Sequence, residues 1–456
     1  MRLIHTLSWY FPDTSGGCEV YVDGLVQGLH SYGITGTVAA SRHGTQEAVY
    51  RHNGVEVYRY PLYPHPTKAQ QRQQLPPGGF EYFSRWLEAH PADLYHQHSW
   101  RFGCGLHHLR LARQLGMPAI VTVHLPEVVC LRGTMMLHGQ TACDGWIESA
   151  RCGHCIGVPE RVPPALARAL SYVPLRVGTA AESELLNSDS IRLRQLARTV
   201  GIPPWVRRHR HLLLEMANLA DRIVAVCQWL YDALLINGVP EEKLVLCRQG
   251  VGDTGSQTIA RRHRHPDDPL RIGFLGRWQD TKGTQVLAAA IEHLPAHIPV
   301  ELVIHGMVHG EADKVNRDLV LAMAQKDRRI QVAEKLSREE VPAAVASFDL
   351  LAVPSQGFET GPLVVLEAHA VGTPVIGSDV GGVNELVHHG VDGWLVPAAD
   401  VNAWSEAIAQ LATDAGLLAK LRQGIKPVRR MDDAVADMAK VYEDVIGHGA
   451  WEGRFG

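Results

Sequence analysis

Residues 350–368 read Leu350-Leu351-Ala352-Val353-Pro354-Ser355-Gln356-Gly357-Phe358-Glu359-Thr360-Gly361-Pro362-Leu363-Val364-Val365-Leu366-Glu367-Ala368. A short apolar run gives way to a glycine-containing loop, and then to a helical segment starting near Gly361. Strand, turn and helix in that order form the repeating unit of a parallel sheet covered by helices. The first turn of such a helix presents amides that the helix itself leaves unpaired, together with a partial positive charge, so it suits an anion. Glu359 stands just before this helix and Glu367 about two turns along it. Carboxylates so placed can accept hydrogen bonds from hydroxyls at both ends of an extended ligand. A capping glutamate and a surface glutamate would be the plainer account of an isolated pair.

The alternation continues on both sides. Strand-like runs at 270–275, 300–305, 330–333, 349–353 and 374–377 form one series, and runs at 3–7, 37–40, 93–96, 119–124, 222–226 and 245–248 form another. The first unit is strand 3–7, the loop Pro12-Asp13-Thr14-Ser15-Gly16-Gly17, and a helix over about 19–30. On that helix Val22, Leu25, Val26 and Leu29 fall on one apolar stripe. Between Gly252 and Pro269 the chain is polar, with Arg261-Arg262-His263-Arg264-His265-Pro266 and no apolar period, and it reads as a linker. This pattern predicts an α/β fold of two Rossmann-like, doubly wound domains facing across a cleft, with ligands at the carboxyl ends of the strands. The expected boundaries are 1–252, 253–427 and a C-terminal helical segment, 428–456, that returns to the first domain. A chain of 456 residues is long enough for two cores.

Composition narrows the partners. The chain is 46% hydrophobic and 20% charged with a formal charge of −4, which gives no reason to expect nucleic acid. No apolar run reaches the roughly 18 residues that span a bilayer. The opening Arg2-Leu3-Ile4-His5-Thr6-Leu7-Ser8 reads as a strand rather than a secretory signal, so a cytoplasmic location is expected.

Residues 156–215 fit neither series. Punctuated by Pro163-Pro164, Pro174 and Pro203-Pro204, they read as a helical insertion in the first domain. Within it Arg192, Arg194, Arg198, Arg207, Arg208 and Arg210 occur with no acidic residue among them from 191 to 214. A solvated basic face is one reading. The other is a site for anionic lipid or an anionic acceptor, with Leu166, Leu170 and Val173 as an apolar patch beside it, holding the protein at the inner face of a membrane.

Of the eight cysteines, Cys18, Cys104, Cys227 and Cys247 are scattered, while Cys130, Cys143, Cys152 and Cys155 cluster in a loop over 130–155. Cys152-Gly153-His154-Cys155 plus two nearby thiols suits a structural zinc, with His154 or His138 as substitute ligands, or an iron–sulfur cluster. Buried or paired thiols are the alternative.

The segment around Glu359 continues Ala370-Val371-Gly372-Thr373-Pro374-Val375-Ile376-Gly377, then Gly381-Gly382-Val383-Asn384-Glu385 and Asp392-Gly393-Trp394-Leu395-Val396-Pro397. A second element comprises the strand 271–275, Gly276-Arg277 and Lys282-Gly283. The loop Gly16-Gly17 and the strand end Thr122-Val123-His124 add two weaker matches. Together these resemble glycosyltransferase family 4 (glycosyl transferases group 1), retaining enzymes of GT-B architecture. The resemblance covers most of the chain outside 156–215 and is specific through its spacing.

The resemblance implies transfer of a sugar from a nucleotide-diphosphate donor, a UDP- or GDP-sugar, to a hydroxyl of a polysaccharide, a lipid-linked sugar or a small metabolite. Arg277 and Lys282 would bind the diphosphate, helped by the amides of Leu363 and Val364, with Thr360 and Gly361 also contacting the donor. Glu367 would accept from the ribose and Glu359 from the transferred sugar. The base would meet backbone near Ala333-Glu334-Lys335. Gly16 and Gly17 would let backbone approach the reacting centre, and His124 would contact the transferred sugar. No Asp-x-Asp pair occurs in the sequence, so charge neutralisation by Arg277 and Lys282, without a catalytic metal, is expected. Two departures stand out: Glu359-Thr360-Gly361-Pro362 in place of the common Glu-Gly-Phe-Gly, and Leu125 where many relatives carry an acid after the histidine. Two other readings are a sugar-nucleotide epimerase of related architecture, disfavoured by the Glu-x7-Glu segment, and a non-enzymatic Cys-rich metal-binding protein on a transferase scaffold.

Overall fold

A computed structural model describes residues 1–14, 16–101, 103–252, 264–265 and 268–449. Ser15 of the first glycine loop, the linker residues 253–263 and 266–267, and the end of the C-terminal segment lie outside the described residues. The chain divides into two compact units, Met1–Arg248 together with the segment from Met431, and Gln249–Arg430.

The first unit holds β1 (Arg2–Leu7), β2 (Thr35–His43), β3 (Ala48–His52), β4 (Val55–Leu62), β5 (Leu94–Gln97), β6 (Ala119–Val123), β7 (Met136–Leu137), β8 (Thr141–Ala142), β9 (Arg222–Ala225) and β10 (Leu244–Leu246). Its main sheet has the order β10-β9-β6-β5-β1-β2-β4-β3. All pairings are parallel except β3 with β4. The central strands β5 and β6 are buried along their whole length, as parallel strands covered on both faces must be. The β3–β4 hairpin is absent from the expected series, yet its signal is plain. Asn53-Gly54 supplies two positive φ values, 48° and 82°, the requirement of a two-residue hairpin turn.

Helix Gly17–Leu29 buries Tyr21, Val22, Leu25, Val26 and Leu29 against this sheet. It starts two residues earlier than expected, so Gly17 is its first residue and Gly16 its N-cap rather than both lying in the loop. On another face, Gly24 and Gly28 give room to helix Met431–Gly449. A Cβ on Gly28 would lie 2.6 Å from the Val435 side chain. Met431, Val435, Met438 and Tyr442 thereby join the first unit's core.

The inserted region is helical, as Pro164–Leu170, Leu175–Leu185 and Ile191–Leu219. Pro203 and Pro204 do not interrupt the last helix, although each removes a ladder hydrogen bond at a typical cost of about 3 kcal/mol. Burial of Ile202, Pro203, Pro204 and Val206 opposes that loss. Close packing adds to it, because Gly178 meets the Gly201 backbone where two helices cross.

The second unit comprises β11 (Leu270–Arg277), β12 (Val300–Met307), β13 (Ile330–Ala333), β14 (Leu350–Val353), β15 (Val375–Ser378) and β16 (Gly393–Val396) in the order β13-β12-β11-β14-β15-β16, all parallel. β16 was not among the expected strands. Connections from β11 run outward to β12 and β13, whereas β14 returns to its other side, so the strand order reverses between β11 and β14. Such a reversal opens a crevice at the carboxyl ends of the two strands.

Candidate active site

Both strong sequence elements of the second unit emerge at that reversal. Arg277 is the last residue of β11, and Lys282 ends a single helical turn, Asp280–Lys282. Gly283 follows with φ 74°, and a Cβ there would lie 1.8 Å from the Pro354 carbonyl oxygen. The backbone N–H of Gln356 donates to the Thr281 carbonyl at 2.7 Å. Glycine at 283 and this bond clamp the loop after β11 to the loop after β14. Lys282 consequently reaches Glu359: Nζ lies 2.6 Å from Oε1, which also accepts from Ser355 Oγ at 2.7 Å.

Burial would raise the Glu359 carboxyl, but the Lys282 ammonium, its hydrogen bond, the Ser355 hydroxyl and Arg277 outweigh it and hold the group below the usual range. Glu359 is therefore ionised at neutral pH. The loop beneath it is built on glycines. Gly382 N–H donates to the Glu359 carbonyl at 2.7 Å, and a Cβ on Gly382 would meet that same oxygen at 2.5 Å. Gly361 has φ 103°, which turns the chain into Pro362.

Helix Leu363–Ala370 starts two residues later than expected, with Pro362 as its N-cap. Leu363 and Val364 thus lie in the first turn, where amides have no acceptor within the helix. Pro362 stands outside the helix, so its missing N–H subtracts nothing from that turn. Glu367 is little more than one turn in, not two. Burial pushes its carboxyl up, with partial relief from Arg338, and no hydrogen bond joins it to the Lys282–Glu359 pair among the described residues. Glu334 follows β13 and is exposed, and its carbonyl accepts from His305 Nδ1 at 2.7 Å.

In the first unit the strand order also reverses, between β1 and β5. Gly16 caps the helix after β1, and His124 follows β6, the neighbour of β5. The loop between β1 and Gly16 is held by Arg59, which is 1% exposed. Its guanidinium donates to the carbonyls of Tyr10, Phe11 and Ser41 and to Asp13.

His124 is buried, and burial lowers its pKa to about 3, so it acts as a neutral imidazole. It belongs to a chain of rings that the motif reading missed: His5 Nδ1 to His98 Nε2 at 3.1 Å, and His98 Nδ1 to His124 Nε2 at 3.2 Å. His5 Nε2 has no hydrogen-bond partner among the described residues. An unmade acceptor is tolerated better than an orphaned N–H, which places the protons on Nδ1 of His5 and His98. His124 then accepts at Nε2 and carries its own proton on Nδ1. His96, beside this chain, is bonded to Tyr442 OH and Thr122 Oγ1, each at 2.7 Å. Ligand atoms of His5, His96 and His98 lie within 4.8 Å of one another. Hydrogen bonds already engage five of their six ring nitrogens, and His5 Nε2 is the one left over among the described residues. A signal was present in sequence, since His5, His96, His98 and His124 all sit on or just past consecutive central strands.

The four clustered cysteines line one cavity. No three of their sulfurs fall within 4.8 Å of one another, so the tight tetrahedron of a zinc site is not drawn together.

Residues 16–250 match the family described as glycosyl transferase 4-like domain, and residues 255–427 match glycosyl transferases group 1. The chain belongs to this glycosyltransferase family. Among curated relatives, the D-inositol 3-phosphate glycosyltransferase of Xylanimonas cellulosilytica is 38% identical over 41% of this chain and 46% of its own length. That of Thermobispora bispora is 27% identical over 51% of this chain and 58% of its own. The chain therefore spans only about half the length of the curated relatives it matches. Among solved structures, Anabaena HepE in complex with UDP and glucose superposes with TM-score 0.64 at 13% identity, covering 97% of this chain and all of that one. Sucrose-phosphate synthase from Thermosynechococcus elongatus gives TM-score 0.65 at 18% identity over 98% and 99%. These likenesses establish the GT-B fold for the chain.

Proposed function

We propose that the enzyme is a retaining glycosyltransferase that moves a sugar from a nucleotide diphosphate to a hydroxyl acceptor without a catalytic metal. One observation carries this: Arg277, Lys282, Glu359 and the first turn of helix Leu363–Ala370 meet at the carboxyl ends of two adjacent strands where the strand order reverses. As the glycosidic bond breaks, the departing diphosphate gains negative charge. Two cations and a helix N-terminus stabilise that charge without reorganising. The pairing of Lys282 with Glu359 places the ammonium before the donor arrives. Glu367, whose carboxyl burial pushes upward, suits hydrogen bonding to ribose hydroxyls, and backbone near Glu334 meets the base. Gly16, Gly17 and His124 of the first unit act toward the transferred sugar. Family membership, together with UDP in the complexed HepE, supports a nucleotide-sugar donor such as UDP- or GDP-sugar.

The test is a panel of nucleotide sugars in a thermal-shift assay, followed by transfer assays. The correct donor at 100 times its Kd adds about 2.7 kcal/mol of stability. Arg277→Ala and Lys282→Ala should each lower turnover by roughly 100-fold, the scale of losing one preorganised charge stabiliser. Wild-type turnover in both variants, or a rate abolished by EDTA and restored by Mg²⁺, would refute the proposal.

The inserted lobe supports a second element of the proposal, association with an anionic membrane surface. None of Arg192, Arg194, Arg198, Arg207, Arg208 and Arg210 forms an ion pair among the described residues. Arg207 instead lies over the Tyr172 ring at 3.9 Å. The exposed apolar side chains are Ile191, Leu193, Leu196, Tyr172 and Val177, with Leu166. Leu170 and Val173 are half-buried, so the apolar patch differs from the expected one. No described helix is long and apolar enough to cross a membrane. In a flotation assay at low salt, wild type should rise with anionic liposomes, and a variant with Arg207→Glu, Arg208→Glu and Arg210→Glu should not. Equal behaviour of the two would remove this element.

A further inference from the structure

The chain that leaves β6 after His124 carries little regular structure before helix Ser149–Ile156. Its only hairpin, β7 with β8, has two residues per strand. A hairpin that short does not hold itself together in water. The backbone around it is also costly. Met135 and His138 adopt positive φ, 56° and 54°, although neither is glycine, alongside Gly133, Gly139 and Gly145. Side-chain-bearing residues stay in that region only where their surroundings over-determine them.

What surrounds them is four cysteines. Cys130 follows the turn Pro126–Val128, Cys143 follows β8, and Cys152 and Cys155 lie one turn apart on helix Ser149–Ile156, hence on one face. All four are unpaired thiols, and together with Leu131 and Trp146 they line a single cavity. Hydrogen-bond donors already point at two of the sulfurs. The His138 backbone N–H lies 3.2 Å from Cys155 Sγ, and Arg151 Nη2 lies 3.4 Å from Cys143 Sγ. Donors aimed at sulfur are the usual outer-shell support of a metal-bound thiolate. Cys130 and Cys143 are themselves placed by backbone bonds to Pro126 and Met135, both 2.8 Å.

We propose that Cys130, Cys143, Cys152 and Cys155 form a four-thiolate centre for a thiophilic metal, zinc or an iron–sulfur cluster, which ties the loop after His124 to the first helix beyond it. A single zinc at about 2.3 Å from each sulfur holds all four sulfurs roughly 3.8 Å apart, whereas no three of them lie within 4.8 Å of one another here. A cluster, with its own irons and sulfides at the centre, accepts wider spacing. Neither ion takes part in sugar transfer, and the centre is structural.

The experiment is elemental analysis of the full chain purified without oxygen, with acid-labile sulfide and the visible absorption spectrum measured alongside. Zinc near one per chain with no sulfide identifies a zinc centre, and iron with matching sulfide and a visible charge-transfer band identifies a cluster. Either result supports the site, provided that Cys152→Ser with Cys155→Ser loses the metal and Cys18→Ser keeps it. Should the double variant fail to fold, wild-type protein is titrated with an organomercurial. Metal release should then track modification of four thiols and change the fluorescence of Trp146 at the cavity wall. Metal far below stoichiometric with all four thiols reacting at once, or metal retained in a folded double variant, overturns the proposal.

Discussion

His124 shows how much a single motif residue depends on partners that the motif does not contain. Its ring is buried and neutral, and the direction in which it offers a proton is set by His98, which is in turn set by His5. His98 is a positioning residue in this arrangement. Replacing it with Phe should lower kcat by about 10-fold, the equivalent of one lost hydrogen bond, with little change in KM for the donor. His98→Asn, whose amide can still donate, should recover part of the loss. Equal defects in the two variants would show that His98 only fills space. Arg277, Lys282, Glu359 and Glu367 could be named as candidates without coordinates because their types and spacing are local features of the sequence. The histidine chain could not, because His5, His96 and His98 lie far from His124 in sequence and meet only when β1, β5 and β6 pair.

Among the elements, the loop after β11 and the loop after β14 act as one. Their union depends on Gly283, where positive φ and the Pro354 carbonyl leave no space for a side chain. Gly283→Ala should therefore do more than strain one residue. It should cost about 1–3 kcal/mol of stability and separate Lys282 from Glu359, raising the Kd for nucleotide diphosphate as well as lowering turnover. Unchanged diphosphate affinity, measured by calorimetry in a folded variant, would contradict the clamp. The hydrophobic period found most of the strands and helices to within a few residues. It overlooked β3 and β4 despite Asn53-Gly54, and it did not foresee a helix running through Pro203-Pro204. Local propensity is a weak constraint beside burial, and the buried face of helix Ile191–Leu219 outweighed two missing amide donors.

For the whole molecule, the first unit concentrates histidines that folding keeps neutral. Burial lowers His5, His108 and His124 to about 3 and His209 to about 4, and it takes His96 and His98 well below their ordinary value. Unfolded, each titrates near 6.5. Between those values the unfolded chain binds more protons, so stability is full above about pH 6.5 and falls as pH drops through it. One unit below, each such histidine contributes a loss of roughly 1.4 kcal/mol. Scanning calorimetry should show Tm falling by about 5 °C or more between pH 7.5 and 5.5. A flat Tm over that range would mean that the rings are not held neutral.

Taken alone, the sequence determined the two alternating series and the family, and it named Arg277, Lys282, Glu359 and Glu367 as candidates, because strand–turn–helix periodicity and motif spacing are local properties of the chain. Tertiary structure decided what those residues touch. Lys282 pairs with Glu359 because β11 and β14 lie side by side, although 77 positions separate the two residues. Tyr442 reaches His96 across 346 positions because glycines on helix Gly17–Leu29 admit the C-terminal helix. The cysteines share a cavity because a short loop folds back upon helix Ser149–Ile156. In each case the contact comes from strand order and close packing, which no local period in a sequence encodes.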